Sequence, residues 1–190
     1  MEDNLVFALE GCCSPSSALS GQHLTIRSSW DRDESVFNSI DLSRLRSLTV
    51  FGAWKPFLTS EKMRLLRVLD LEGTNNTSDD TSCVTDDHLE EMGKMLHRLK
   101  FLSLRGCQQI TRLPDSLGDM RQLQTLDVRY TSIVELPSSI ITELHKLQYI
   151  RAGARIDKRP HPSANRNTNP NRSTNTCPTT INTSTNITTR

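Results

Sequence analysis

The 190-residue chain has little of what marks a secreted, membrane-bound or disulfide-linked protein. It contains no long apolar run, and its first four residues, Met-Glu-Asp-Asn, are acidic where a secretory signal is basic. Its five cysteines are odd in number and include no Cys-x-x-Cys spacing, which argues against a disulfide framework and against a zinc site. We therefore expect a cytoplasmic chain with reduced thiols and no membrane span.

The chain also lacks the motifs of common enzyme classes. The patterns G-x-x-x-x-G-K-[ST], G-x-G-x-x-G and G-x-S-x-G are absent, and the five histidines never stand at the spacing of metal ligands. No base is indicated near Cys107, so we interpret this residue as structural and not as a nucleophile. We expect no enzymatic activity, cofactor or metal, and an enzyme with a convergent site stays open as an alternative.

Charge is distributed unevenly along the chain. Residues 1–150 carry 16 Lys or Arg against 21 Asp or Glu, a net charge of −5, whereas residues 151–190 carry 7 against 1. A domain that binds nucleic acid usually concentrates positive charge on one folded face. A mildly acidic body with a basic tail does not fit that class, so no nucleic-acid partner is expected.

Leucine recurs at a regular spacing. The pattern L-x-x-L-x-L begins at four leucines and returns in weaker form at a fifth: Leu45, Leu66, Leu99, Leu123 and Leu147. Three of the intervals between them, which are 21, 33, 24 and 24 residues, fit the period of leucine-rich repeats, about 20–29 residues. A degenerate unit precedes them at Leu24-x-Ile26.

The spacing predicts the fold. In a short strand alternate residues share a face, so the last two apolar positions of each unit point into a core. The small residue three positions later (Thr74, Cys107, Thr131) satisfies buried backbone groups where the chain leaves the strand. Apolar ladders with a Leu-Pro step predict short helical or 3-10 turns between strands. We predict an α/β leucine-rich-repeat solenoid, with short parallel strands on the concave face and these turns on the convex face.

Three segments are expected. Residues 1–19 form an N-terminal edge or linker with a strand candidate at 5–9, residues 20–153 form the repeat domain of about five units plus the degenerate one, and residues 154–190 form an Asn/Thr-rich basic tail that is disordered. The long 33-residue unit combines a polar loop from Thr74 with an amphipathic helix, capped by Asp87 and Glu90. Because such a tail cannot cover the last unit, we also expect an exposed apolar edge there.

The amino-acid sequence of the units resembles that of a known family. The run from Ile40 to Gly52, with Leu66–Gly73, Leu99–Cys107 and Leu126–Pro137, is similar to the leucine-rich repeats of nucleotide-binding plant disease-resistance proteins, especially grass members with an N-terminal coiled coil. The resemblance covers roughly residues 4–153. It implies pathogen recognition and autoinhibition, in which the repeats restrain a nucleotide-binding module and bind an effector, a guarded host protein or another immune receptor. Neither that module nor the coiled coil occurs in these 190 residues, so we expect a truncated chain.

The strand register predicts where a protein would bind. One outward column contains Thr25, Thr49, Asp70, Ser103, Asp127 and Arg151, and its neighbour contains Arg27, Phe51, Glu72, Arg105 and Arg129. Arginine and tyrosine are frequent interface anchors. We therefore predict a protein-binding patch on the concave face, made of Arg105, Asp127, Arg129, Tyr130 and Arg151.

The functional hypothesis is a protein-binding leucine-rich-repeat module of a plant disease-resistance protein, acting in effector recognition, autoinhibition or both. The alternative is a stand-alone leucine-rich-repeat scaffold or a substrate-recognition subunit of a ubiquitin ligase. No F-box-like helical segment precedes the repeats, which disfavours the ubiquitin-ligase alternative.

Overall fold

The computed structural model of the protein describes residues 6–11, 21–31, 33–74 and 83–153. Three sequence expectations therefore lie outside the described residues: the disordered tail from Ala154, the adjacent Cys12 and Cys13, and the polar loop over 75–82.

Seven parallel strands form one sheet in which the spatial order is the order along the chain. The strands are β1 (Val6–Leu9), β2 (His23–Ile26), β3 (Ser47–Phe51), β4 (Val68–Gly73), β5 (Phe101–Ser103), β6 (Thr125–Asp127) and β7 (Tyr149–Arg151). The predicted leucine-rich-repeat solenoid is confirmed, and the strand candidate near the N-terminus pairs with β2 as the first strand of the sheet.

Short helices connect the strands. The α-helices are α1 (Glu34–Asn38), α2 (Asp86–Met95) and α3 (Ser138–Glu143), and 3-10 helices cover Pro56–Leu58 and Asp115–Asp119. Pro114 and Pro137 stand immediately before the helices that follow them, as the Leu-Pro steps predicted. A proline fixes its own φ and needs no hydrogen-bond acceptor at such a position, which favours a short turn there.

The core lies between the sheet and these helices. The two inward positions in each of β3 to β6, or directly after the strand, are exposed by 3% or less, and they belong to one buried cluster: Leu48, Val50, Leu69, Leu71, Leu102, Leu104, Leu126 and Val128. Full burial of a leucine side chain contributes about 1.5–3 kcal/mol, so these positions dominate the stability of the sheet.

The small residues after the strands satisfy backbone carbonyls as predicted. The Thr74 hydroxyl donates to the carbonyl of Leu71 at 2.9 Å, and the Thr131 hydroxyl donates to that of Val128 at 2.8 Å. The Cys107 thiol lies 3.5 Å from the Thr74 hydroxyl and 3.7 Å from the Leu71 carbonyl oxygen. Cys107 is completely buried, which supports its structural interpretation.

The predicted cap of α2 is wrong. Thr85 is the N-cap, and its hydroxyl accepts from the His88 backbone N–H while the His88 Nδ1 accepts from the backbone N–H of Thr85. Asp87 lies inside the first turn of the helix. A histidine closes the reciprocal cap that Glu or Gln usually closes, so the acidic residues placed the predicted cap two residues too far along the chain.

One predicted column is offset where β3 meets β4. The register shifts between Thr49 and Phe51, so that Phe51 pairs with Gly73 and not with Glu72. The other column agrees throughout, from Thr25 through Thr49, Asp70, Ser103 and Asp127 to Arg151. A bulge adds one residue to one strand, and the L-x-x-L-x-L pattern carries no signal for it.

Strand β7 is the last strand of the described sheet, and an apolar hollow of about 760 Å³ adjoins it. Its lining includes Leu136, Ile141, Leu147 and Ile150. The hollow lies where the sequence predicts an exposed apolar edge; residues 154–190, on which that expectation depends, lie outside the described residues, so it stays a prediction. None of the described helices has the length and apolarity to cross a membrane.

Candidate functional site

The five residues of the predicted patch lie together on the open face of the sheet, the face opposite the core. Strand register places Asp127 of β6 beside Arg151 of β7. Arg105 and Arg129 follow the adjacent strands β5 and β6, and the Gly106 N–H donates to the Arg129 carbonyl at 2.8 Å. Tyr130 comes next along the chain. The short strands thus bring residues 46 positions apart, Arg105 and Arg151, onto one surface.

Asp127 holds Arg129 in one orientation. The Arg129 Nε donates to both carboxylate oxygens of Asp127, at 2.9 and 3.1 Å, and its terminal nitrogen donates to Oδ2 at 2.6 Å. The carboxylate also accepts the backbone N–H of Arg129 at 3.2 Å. The Asp127 side chain is only 4% exposed, whereas that of Arg129 is 30% exposed. A forked arginine–carboxylate pair of this kind fixes the guanidinium plane and leaves its outer edge open to a partner.

The charge around Arg129 stabilises its cationic form. Hydrogen bonding to Asp127 is the main cause of a raised Arg129 pKa, which partial burial opposes and the negative charges of Asp127 and Glu72 support. Arg151 adds a second cation, with a terminal nitrogen 4.0 Å from Oδ2 of Asp127. One buried carboxylate therefore organises two arginines, and the patch stays positively charged at its surface.

A second ion pair holds an arginine beside the aromatic ring of Tyr130. Arg105 is paired with Glu72 of β4, and its guanidinium carbon lies 5.5 Å from the centre of the Tyr130 ring, in cation–π range. The backbone of Tyr130 has a φ of 61°, which residues other than glycine rarely adopt. That conformation turns the chain after β6 and leaves the tyrosine 36% exposed beside Arg105.

The sequence prediction omitted three residues that share this face. Glu72 appeared in the outward column but was not assigned to the patch, although it pairs with Arg105. Tyr149 begins β7 in register with Thr125 and is 54% exposed. Phe51 of β3 is 45% exposed. Extending the alternation back from Arg151 by two residues identifies Tyr149 from sequence alone. The ion pair with Glu72 requires the structure. We call the set of Glu72, Arg105, Asp127, Arg129, Tyr130, Tyr149 and Arg151 the open-face patch.

Replacing Asp127 by alanine is expected to lower the free energy of unfolding by about 1–2 kcal/mol, because Arg129 then loses its partner but still reaches water. Asp70→Ala is the matched control. Asp70 occupies the same column and accepts a backbone N–H two residues on, from Glu72 at 3.1 Å, but no arginine follows it. We expect that control to cost about 0.5–1 kcal/mol in urea denaturation, the value of the backbone hydrogen bond. Equal losses in the two variants would show that the Arg129 pair contributes nothing.

The open-face patch exposes arginine and tyrosine side chains. Among the described residues, no group of three or more His, Cys, Asp and Glu side chains is arranged to hold a metal ion. The exposed guanidinium edges of the patch can form bidentate hydrogen bonds, and its phenol rings can bury large areas at small entropic cost.

Comparison with known proteins gives consistent similarities. The family described as "Leucine-rich repeat region" matches residues 44–165. The disease resistance protein RGA4 of Oryza sativa is 43% identical over 105 residues, which are 55% of this chain and 9% of that protein. Pik-2 of the same species is 32% identical over 146 residues, or 74% of this chain and 13% of Pik-2. A putative disease resistance protein of Arabidopsis thaliana, At1g58400, is 31% identical over 127 residues, or 61% of this chain and 12% of that protein. The chain thus spans about a tenth of the length of these relatives.

Proposed function

Since the chain belongs to the leucine-rich repeat region family and is related to plant disease-resistance proteins, we propose that its open-face patch binds a protein partner in the defence response. The partner is a pathogen effector, a guarded host protein or a module of an immune receptor that the repeats hold inactive. The cytoplasm, where such partners meet a receptor, is the proposed location. The observation that carries the proposal is the Arg105–Tyr130 stack, with Arg129 held beside it by Asp127.

Preorganisation is the physical reason that this patch favours binding. Arginine and lysine side chains lose about 2 kcal/mol of rotamer freedom when a complex orders them. Here Asp127 and Glu72 already restrain the two arginines, and the ring of Tyr130 lies against one of them. Less entropy is therefore lost on binding, and more of the interaction energy appears as affinity.

The proposal is tested by measuring binding of the chain to purified candidate effectors and to the nucleotide-binding modules of the rice relatives. For a partner that binds, the double variant Arg105→Ala/Tyr130→Ala is expected to weaken affinity by about tenfold or more, because both members of an anchor pair are lost. Val134→Ala is the control, since Val134 is 97% exposed and lies outside the open-face patch. Thermal unfolding of each variant checks that the fold is retained.

The outcomes separate the two roles. Binding to an effector that depends on the patch supports recognition. Binding to a nucleotide-binding module, with a lower defence output when the chain and that module are expressed together, supports autoinhibition. A partner whose affinity is the same for the double variant and for Val134→Ala counts against the open-face patch as its binding site.

A further inference from the structure

A second charged surface lies away from the open-face patch, at the edge of the sheet where the strands begin. A groove of about 620 Å³ runs across three consecutive units there. We call it the basic groove, and its lining consists of Arg67, His97, Arg98, Lys100, Asp119, Arg121 and Gln122. The open-face patch, in contrast, contains residues within the strands or after them.

The sheet itself fixes the spacing of the cations. Arg67 and Lys100 stand immediately before β4 and β5, and the Lys100 N–H donates to the Arg67 carbonyl at 2.8 Å. The Lys100 carbonyl in turn accepts the N–H of Gln124 before β6, also at 2.8 Å. Adjacent strands lie about 4.8 Å apart, so these side chains start from neighbouring positions. Arg98 and Arg121 come from the turns that lead into β5 and β6.

Four of the groove's cations have no ion pair in the part of the chain that the structure describes. Within the described residues, no ion pair joins Arg67, Arg98, Lys100 or Arg121 to a carboxylate, although Asp119 also lines the groove. The arginines of the open-face patch, in contrast, are paired with Glu72 and Asp127. Gathering four cations beside a single carboxylate, that of Asp119, is unfavourable, and a bound anion relieves the repulsion among the cations.

We propose that the basic groove binds a small ligand carrying two or more phosphate groups. Guanidinium groups bind phosphate oxygens through paired hydrogen bonds, and a lysine adds a point charge. The groove's volume lies in the range of small-molecule sites, about 300–1,000 Å³. Each phosphate supplies several acceptor oxygens, so two or three phosphates match the donors of three arginines and one lysine.

A compact ligand fits better than a long polyanion. Asp119 lies within the groove, and Glu61 lines the adjoining hollow beside Arg64. An extended nucleic-acid strand or acidic peptide that continued along this edge would meet Glu61 there, together with the cations Arg64 and Lys94. The repeat body as a whole is also acidic, with a net charge of −5 over residues 1–150.

Isothermal titration of the full chain with tripolyphosphate tests the proposal. We expect one binding site, with affinity that falls when salt is raised from about 50 mM to about 200 mM because charge dominates the interaction. Arg67→Glu/Arg121→Glu is expected to weaken binding by about tenfold or more, since two phosphate-binding forks are lost. Arg67→Lys/Arg121→Lys keeps the charge but not the fork, so it is expected to lose about threefold.

The matched control is Arg44→Glu/Lys62→Glu, which changes the net charge equally at two exposed positions outside the groove. This control and Tyr130→Ala are both expected to bind tripolyphosphate like the unaltered chain. Retained binding in Tyr130→Ala separates this proposal from the proposed function of the open-face patch.

Three results would overturn the proposal: no heat of binding at millimolar tripolyphosphate, equal weakening in the control and the groove variant, or tighter groove-dependent binding of polyglutamate or an oligonucleotide. Circular dichroism of each variant shows whether a loss of binding comes from unfolding.

Discussion

A Leu102→Ala substitution is expected to lower the free energy of unfolding by about 3–4 kcal/mol. Leu102 is the first inward residue of β5, is completely buried and pairs in register with Leu69 on one side and Leu126 on the other. Truncation removes its apolar contacts and leaves a cavity that its two neighbours cannot fill without distorting their own strands. In a solenoid, each unit is stabilised mainly by its neighbours, so a defect in a central unit weakens two interfaces.

The same position in the last unit provides the control. Ile150 pairs with Leu126 but has no described strand on its other side, and it is only partly buried. Ile150→Ala is expected to cost about 1 kcal/mol, because fewer contacts are lost and the site can relax. Urea denaturation followed by circular dichroism measures both. Similar losses for the two variants would contradict a core whose stability comes from contacts between units.

Gly52→Ala is expected to lower the free energy of unfolding by about 2–4 kcal/mol. Gly52 follows β3 directly and has a φ of +91°, which costs a residue with a Cβ about 1–2 kcal/mol. A Cβ there would also lie 2.6 Å from the Cα of Ser28, in the turn after β2. Backbone cannot move aside cheaply, so overpacking adds about 1–3 kcal/mol.

Gly11 separates the two causes. It has a φ of +56°, but an added Cβ would meet nothing within 4 Å. Gly11→Ala therefore reports the backbone conformation alone, and we expect a loss of about 1 kcal/mol in the same denaturation experiment. If both alanine variants lose the same stability, the close approach of Ser28 to Gly52 has no energetic consequence.

Much of the candidate site was predictable because strand alternation is local. Asp127, Arg129 and Arg151 follow from counting alternate positions beyond each inward leucine, and the structure gives them the same face. Their role in binding stays a prediction. The partners of these residues were not predictable in the same way. Arg105 pairs with Glu72, which is 33 positions away across the irregular long unit, and the length of that unit shows neither the register nor the side-chain reach.

The α2 cap shows how local rules compete. Thr85-Asp86-Asp87-His88 offers several side chains that are able to cap a helix, and the acidic residues suggested a start near Asp87. In the folded chain Asp86 accepts hydrogen bonds from the backbone and hydroxyl of Thr111 in the next unit, at 2.8 and 2.5 Å. That contact between units fixes where Asp86 points, and Thr85 with His88 completes the cap. Packing against a neighbouring unit therefore selected one of several caps that the local sequence allowed.

The sequence by itself determined the repeat, the alternation of inward and outward residues, the parallel order of the strands and the small residues that end them. These features depend on spacing within one unit, where backbone geometry alone relates position to direction. Only the tertiary structure decided which charges meet. It pairs the arginines of the open-face patch with carboxylates and gathers Arg67, Arg98, Lys100 and Arg121 in the basic groove without ion pairs among the described residues. Neutralisation depends on distances between units, which vary with bulges and side-chain reach, and the repeating pattern encodes neither of these.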